Sequence, residues 1–407
     1  MLPCLNSNGR IHEERGVSMD FALDEIQEEF KNTSQKFFEE KCTVADLRKF
    51  EASKNKFSSE LYKELADMGF LGLVIPEKYG GFDGRLMDLA IVVEEAGRAT
   101  LPSPFLSTIS YGVLPILQYG TEEQKQQLLP LIAEGNLMVS DALSESQAHY
   151  DLKNVTAYAE KNSGGEYSLS GTKLFVPYAS SSQYLLTLAK TSEVTGDDGE
   201  GLSLFLVKRD QRGIKTTPLD AIGTEGLFEV AFENVTLSDS DMLGQEGQGL
   251  ALTEQILQTA TALQCIEMTG LLRRTLDVTS EYVKDRMQFG RPIGSFQSVQ
   301  HRLGDMYTVV EGGSLVAYHA IWRLDEGLPA ENEVAIAKSW LGKEGHQVLT
   351  GAHQLHGGMG IDMDYPLQFC FRRFKSMQLN LGSAPNHLKQ IGKTLSSTEE
   401  KTKIHSS

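Results

Sequence analysis

Between Tyr282 and Met306 the chain reads YVKDRMQFGRPIGSFQSVQHRLGDM. Three polar side chains with a common use stand close together there: the guanidinium of Arg286 and the carboxamides of Gln288 and Gln297. A planar fork that is always charged, flanked by neutral donors, suits a diphosphate. Farther along, Gln354-Leu-His-Gly-Gly-Met-Gly sets another carboxamide beside Gly357 and Gly358. Paired glycines let backbone amides come close to a ligand. Each feature also has a plain structural reading, an Arg capping a helix end and a Gly-rich helix terminus.

To place these groups the chain needs a helix, a sharp stop and a second helix. Gly290 and Pro292 are expected to end the first, because glycine takes a left-handed cap and proline cannot continue the ladder. Ser295 then offers an N-cap oxygen. Phe296, Val299, Leu303, Met306 and Val310 follow at helical spacing as one apolar stripe. Another long helix, beginning near Glu333, closes at the Gln354 run.

The stretch Arg286 to Met306 resembles the flavin-contact signature of the acyl-CoA dehydrogenase family. Arg286, Gln288, Phe289, Gly290, Pro292, Ile293, Phe296, Gln297, Gln300, His301, Asp305 and Met306 all stand where that pattern wants them. In the family this segment reaches across a subunit interface to the diphosphate and adenosine side of a neighbour's FAD. The resemblance therefore implies FAD and an oligomer, a tetramer or a dimer. Gln354, Gly357 and Gly358 match the family's QxxGGxG, which contacts the same cofactor. Asp141-Ala-Leu-Ser-Glu-Ser lies where the family has its TEP motif, so Leu143 and Ser144 are carried over to the pyrimidine edge of the flavin. Ser146 replaces the usual Pro, and Gln147-Ala-His-Tyr-Asp replaces the customary AGSD. Gly171-Thr-Lys-Leu-Phe-Val-Pro-Tyr-Ala resembles the family's GxKxxIxxA strand. Phe175 takes the place of an aromatic that packs on the flavin face; read from the residues alone, it is equally a barrel-core aromatic. Pro177 stands where a hydroxyl often serves the flavin and can donate no hydrogen bond.

The family's reaction removes an α-proton from an acyl-CoA and transfers the β-hydrogen as hydride to flavin. A thioester α-proton needs a carboxylate within about 3 Å, in a dry pocket that raises its pKa. In most members that Glu lies in a Y-E-G-T stretch; here the position falls on Leu381. Some relatives place it in the first long helix of the last domain; counted back from Phe289, that position is Ala260. Both are alkyl, so the chain resembles a subgroup lacking the usual catalytic Glu, and the catalytic residue is unknown from sequence. Glu267 lies on roughly the same helix face as Ala260 and is one replacement to weigh, with a structural helix acid as its plainer reading. Asp364 and His387 are others, a structural acid and an exposed histidine in their plainer readings. His301 and Asp305 are expected to serve packing and hydrogen bonding.

The chain as a whole fits this frame. At 407 residues it is long enough for two or three domains around a large core. Its 40% hydrophobic and 23% charged fractions are those of a soluble globular protein, and its formal charge of −17 argues against a nucleic-acid or anionic-membrane surface. No run approaches the roughly 18 to 20 apolar residues of a membrane span. Residues 1–18 read as a disordered leader, with Met19 opening the folded part. Cys4, Cys42, Cys265 and Cys370 form no CxxC pair, which speaks against zinc or a disulfide framework and for a reducing cytosol.

The expected fold is α+β and multidomain. Residues 19–136 read as an N-terminal helical domain. There Leu61, Leu65 and Met68 share a face before a stop at Gly69, and Thr121 caps a helix with acids in its first turn. Residues 137–245 change to period two, in YSLSG, LFVPYA, YLLTLAK, LSLFLVKR and LFEVAFENVTL, with an exposed hairpin loop at TSEVTGDDGEG; the resemblance makes this a small β-barrel. Residues 246–393 resemble the family's four-helix bundle, and 394–407 read as a frayed polar tail.

The resemblance implies an FAD-dependent acyl-CoA dehydrogenase-like enzyme, with an acyl-CoA substrate, an electron-transfer flavoprotein as electron acceptor and a cytoplasmic setting. A base-less partner subunit of a heteromeric dehydrogenase is one alternative, because LGSAPNHLKQIGK resembles a subgroup in which such chains pair with a base-bearing sister. A flavin oxidase or monooxygenase on the same fold is another, since it need not deprotonate a thioester.

Overall fold

The computed structural model describes residues 22–146, 151–195 and 199–404. The leader expected over 1–18, most of the segment after Ser146 and the tip of the hairpin loop lie outside the described residues.

Seven helices form the first part: α1 (Glu25–Lys41), α2 (Val44–Ala52), α3 (Ser59–Asp67), α4 (Leu86–Arg98), α5 (Phe105–Thr108), α6 (Leu114–Tyr119) and α7 (Glu122–Ala133). Thr121 caps α7 as expected. Its hydroxyl accepts from Gln124 N at 3.2 Å, and the Gln124 side chain accepts from Thr121 N at 2.9 Å, a reciprocal capping box. In α3, Leu61 and Leu65 are buried, but Met68 is 40% exposed. The helix ends at Asp67, so Met68 lies past the last full turn, where the face spacing no longer holds. A π-helical turn, Ile109–Val113, joins α5 to α6.

The middle part is an eight-stranded sheet of β1 (Val139–Ala142), β2 (Tyr158–Lys161), β3 (Tyr167–Pro177), β4 (Tyr184–Thr195), β5 (Glu200–Lys208), β6 (Ile214–Leu219), β7 (Leu227–Leu237) and β8 (Met242–Leu243). The strand order is β6-β7-β3-β2-β4-β5-β8, with β1 parallel to β4. β5 is buried on both faces from Gly201 to Val207, so LSLFLV is a strand as expected but not a period-two one, as befits a strand covered on both sides.

The last part is helical: α8 (Gly249–Asp285), α9 (Gln297–Asp325), α10 (Glu331–His356), α11 (Pro366–Leu379) and α12 (Ala384–Ile404). α8, α9 and α10 pack on one another, and α12 lies against α10. The tail expected to fray from Thr394 is helical as far as Ile404. Arg85, beside α4, meets Asp325 at 2.9 Å and Glu326 at 2.5 Å at the end of α9, fastening the first part to the last. No helix among the described residues is long and apolar enough to cross a membrane. Cys42, Cys265 and Cys370 are free thiols; Cys4 lies outside the described residues.

Candidate functional site

The elbow differs from its sequence reading in an informative way. α8 stops at Asp285, because Arg286 already has extended backbone (φ −70°, ψ 113°). Met287–Gln288 (β9) then pairs with Arg291–Pro292 (β10), Gln288 opposite Arg291. Gly290 is therefore not a helix cap. With Phe289 it forms a two-residue hairpin tip in which both residues have positive φ, 53° and 78°, the signature of a type I′ turn. Ser295 does not cap α9 either: its hydroxyl donates to Pro292 O at 2.7 Å, and Phe296 holds the N-cap position without a side-chain bond. Ile293 N donates to Arg286 O at 2.8 Å and closes the base of the hairpin. Arg291 lies 4.1 Å from the Phe296 ring centroid and stiffens it further. Along α9 the expected stripe turns inward, with Met306 and Val310 buried, while His301 and Asp305 are exposed.

Tyr282 stacks on His356 at 4.2 Å, and its hydroxyl donates to His356 O at 3.4 Å. The end of α8 and the end of α10 thus lie together, and Gln354, Gly357 and Gly358 share one end of the bundle with Arg286. An open groove lined by Arg274, Asp277, Tyr282, Arg286 and Tyr365 runs along it. Arg286, Gln288, Phe289, Gln297, Gln354, Gly357 and Gly358 are all exposed. None of the Arg286, Gln288, Gln297 and Gln354 side chains has a hydrogen bond or ion pair among the described residues.

A second group sits on the sheet. Leu143 is buried and Ser144 exposed, just past β1. Leu174 N donates to Ser144 O at 2.9 Å. β3 bulges between Lys173 and Val176, and the bulge turns Phe175 outward at φ 58° with 60% of its surface exposed. The core-aromatic reading of Phe175 is thereby excluded.

Beneath it lies a buried ion pair that the sequence reading missed. Lys173 Nζ donates to Glu145 Oε1 at 2.7 Å and to Leu188 O at 2.7 Å. Glu145 also accepts from Thr156 N at 2.6 Å and Ala157 N at 3.1 Å. Burial pushes the Glu145 carboxyl up; Lys173 and Thr156 outweigh it and hold it below the usual range. The available signal was alternation: Tyr167, Leu169 and Lys173 share the buried face of β3, and a lysine on such a face needs an anion.

The base candidates are tied up elsewhere. Ala260 is buried and Leu381 half-buried, at φ 58°. Glu267 is buried, and its Oε1 takes both Nε and Nη2 of Arg373, at 3.1 and 2.6 Å. Arg373 also reaches Glu225 at 3.2 Å. Asp364 is exposed and paired with Arg48. His387 is half-buried rather than exposed; its Nε2 bonds Leu381 O at 2.9 Å, and burial lowers its pKa.

Three sequence profiles together match most of the chain: acyl-CoA dehydrogenase N-terminal domain over 24–136, middle domain over 140–235 and C-terminal domain over 247–396. The chain belongs to the acyl-CoA dehydrogenase family. It is 30% identical over 385 residues to the short-chain-specific acyl-CoA dehydrogenase of Megasphaera elsdenii, covering 93% of this chain and 100% of that one. Among solved structures, the ChsE4–ChsE5 complex from Mycobacterium tuberculosis superposes with a TM-score of 0.84 at 28% identity, covering 93% of this chain and 99% of that one. PigA with FAD and proline superposes with a TM-score of 0.85 at 27% identity, again covering 93% and 99%. The helical, sheet and helical parts are those of this family, whose members are oxidoreductases.

Proposed function

We propose that the chain is an FAD-dependent acyl-CoA dehydrogenase that desaturates an acyl-CoA between Cα and Cβ. It works as an oligomer and passes electrons to an electron-transfer flavoprotein. One observation carries this reading: Arg286, Gln288, Gln297 and Gln354 project outward unpaired. In a chain of net charge −17, a guanidinium left without an internal anion is set to receive an external one. Together with the backbone of Gly357 and Gly358 these groups fit the diphosphate side of FAD, held for a neighbouring protomer. Phe289 fits the same role, a strained aromatic that only another surface would cover. Leu143, Ser144 and Phe175 fit the isoalloxazine side. Bound there, FAD supplies the two-electron acceptor that desaturation requires.

Leu381 and Ala260 favour a second reading, a subunit that depends on a base-bearing sister chain; the likeness to the two-component ChsE4–ChsE5 structure supports it. The free thiols of Cys42, Cys265 and Cys370 suit a reducing compartment, and we place the protein in the cytoplasm.

The test is anaerobic titration of the purified chain with acyl-CoAs of increasing size, followed in the visible spectrum. Bleaching of a bound flavin by the chain alone supports the dehydrogenase. A yellow chain that bleaches only when co-purified with a sister supports the subunit. A colourless chain that takes up no added FAD refutes both.

A further inference from the structure

The carboxylates weighed above as the base, Glu267 and Asp364, are both paired with arginines, but Asp141 is not. It lies on β1, two residues before Leu143, and no side chain among the described residues gives it a hydrogen bond or an ion pair. The neighbouring wall is built to sit close. Thr108 Oγ1 accepts from Val139 N at 3.2 Å, which holds α5 against β1. The π-helical turn follows, and Gly112 permits the contact: a Cβ there would stand 2.7 Å from Val139 Cγ2. Val139 therefore faces this turn, and Asp141, one pleat farther along β1, faces the same way. Tyr111 of the turn is the titratable group that feels its charge. The turn also packs against α8, the helix that carries Ala260. Single π-helical turns are rare and gather at functional sites. Asp141 is half-buried, and desolvation, opposed by a backbone hydrogen bond, pushes its carboxyl up to about 7, a range suited to taking and returning a proton near neutrality.

We propose that Asp141 is the proton acceptor of the desaturation, replacing the carboxylate absent at positions 381 and 260. The inference rests on the FAD-dependent reading above. The α C–H bond breaks and its proton forms an O–H bond on the Asp141 carboxylate. The freed electron pair closes the Cα–Cβ double bond. The β C–H bond gives up its hydrogen with both electrons, as hydride, to bound FAD, which is reduced by two electrons. Asp141 then returns its proton to solvent.

The proton half can be read without turnover. 3,3-Dimethylbutyryl-CoA has α-hydrogens and no β-hydrogen, so it can exchange but cannot be desaturated. The FAD-loaded full-length protein is incubated with it in D2O, and deuterium at Cα is measured by mass spectrometry. Exchange is expected in the wild type and is expected to fall about 10²- to 10⁴-fold in Asp141→Asn, with flavin content and the acyl-CoA-induced change in the flavin spectrum retained. Asp141→Ala is expected to regain exchange when formate is added, which a purely structural role would not allow. A yellow wild type that does not exchange, an Asp141→Asn variant that exchanges like wild type, or an Asp141→Ala variant indifferent to formate overturns the assignment. A protein that cannot be loaded with FAD refutes the underlying reading instead.

Discussion

Replacing Lys173 with Met removes the cation from the buried pair while roughly keeping its length. Glu145 would then be left inside the sheet with only neutral donors, Thr156 N at 2.6 Å, the Thr156 hydroxyl at 2.5 Å and Ala157 N at 3.1 Å. Stranding one member of a buried pair costs about 3–5 kcal/mol. Leu188 O, which accepts from Lys173 at 2.7 Å, would also lose its donor. The carboxylate escapes either by opening the 145–157 segment or by taking up a proton. Both weaken its hold on the Thr156 and Ala157 amides, so hydrogen exchange at those two positions is the direct assay. At about 1.4 kcal/mol per decade, they are expected to exchange roughly 100- to 4,000-fold faster in Lys173→Met. Adding Glu145→Gln should recover most of the stability, because the stranded charge is gone. The sign with pH follows from the lowered Glu145 carboxyl: its contribution is present above the ordinary carboxylate range and disappears as pH falls through the lowered value. Trp322 and Trp340 sit on α9 and α10, so bundle fluorescence is a control that should change little. Unchanged exchange at Thr156 and Ala157, or a double variant no more stable than the single one, would refute the reasoning.

Arg286→Ala deletes the unpaired guanidinium and is expected to cost about 2–4 kcal/mol of FAD affinity; equal flavin retention on dilution counts against the assigned role. Phe289→Asn puts a residue tolerant of positive φ at the first position of the type I′ turn. It should stabilise the elbow by about 1 kcal/mol and lower flavin retention, since a ring 92% exposed has only its edge-on contact with Phe296 at 6.1 Å to lose; unaltered flavin content would show that the ring does not touch the flavin. Glu95 is buried with Oε2 unpartnered, and desolvation, aided by Glu94, raises its pKa from 4.5 to about 7. A raised carboxyl is most favourable to the fold below its unfolded value and loses that advantage as pH climbs through the folded one. Glu95→Gln should therefore be more stable than wild type by about 2–3 kcal/mol at pH 8, with a clearly smaller gain at pH 5. Urea midpoints at the two pH values decide it, and an equal gain at both contradicts the assignment.

Where a pattern is local and repeated, it was legible. The Thr121 capping box, the period-two strands and the α9 stripe each follow from neighbours a few residues apart. The elbow was located but misread, because Gly-x-Pro after a helix fits either a cap or a hairpin. The choice was made by Phe289, whose positive φ no residue-type rule anticipates. Met68 was read as part of α3 although it is the C-cap, one residue past the helix end, because propensity does not locate a helix end. The Glu145–Lys173 pair lies 28 residues apart in sequence, and only the fold of the loop after β1 back onto β3 brings it together. Asp141 escaped notice for the same reason: its meaning comes from a π-helical turn and a packed neighbour, neither of which composition encodes.

The segment carrying Leu381 is not slack chain in which the side chain at that position is immaterial. Asn380 Oδ1 accepts from Leu381 N at 3.0 Å, and the ring of His387 bonds Leu381 O at 2.9 Å. One turn earlier, Gln378 Nε2 donates to Gly342 O at 2.5 Å, and buried Lys338 donates to Met377 O. So many fixings hold position 381 at φ 58°, a conformation that costs a leucine roughly 1–2 kcal/mol. Strain of that size persists only where the surroundings dictate it. The backbone at 381 is thus firmly placed by Asn380 and His387. A Leu381→Gly variant, which relieves a positive φ, is expected to stabilise the fold by about 1 kcal/mol if the φ alone matters, and a loss of stability in urea unfolding would show that the half-buried side chain contributes more by packing.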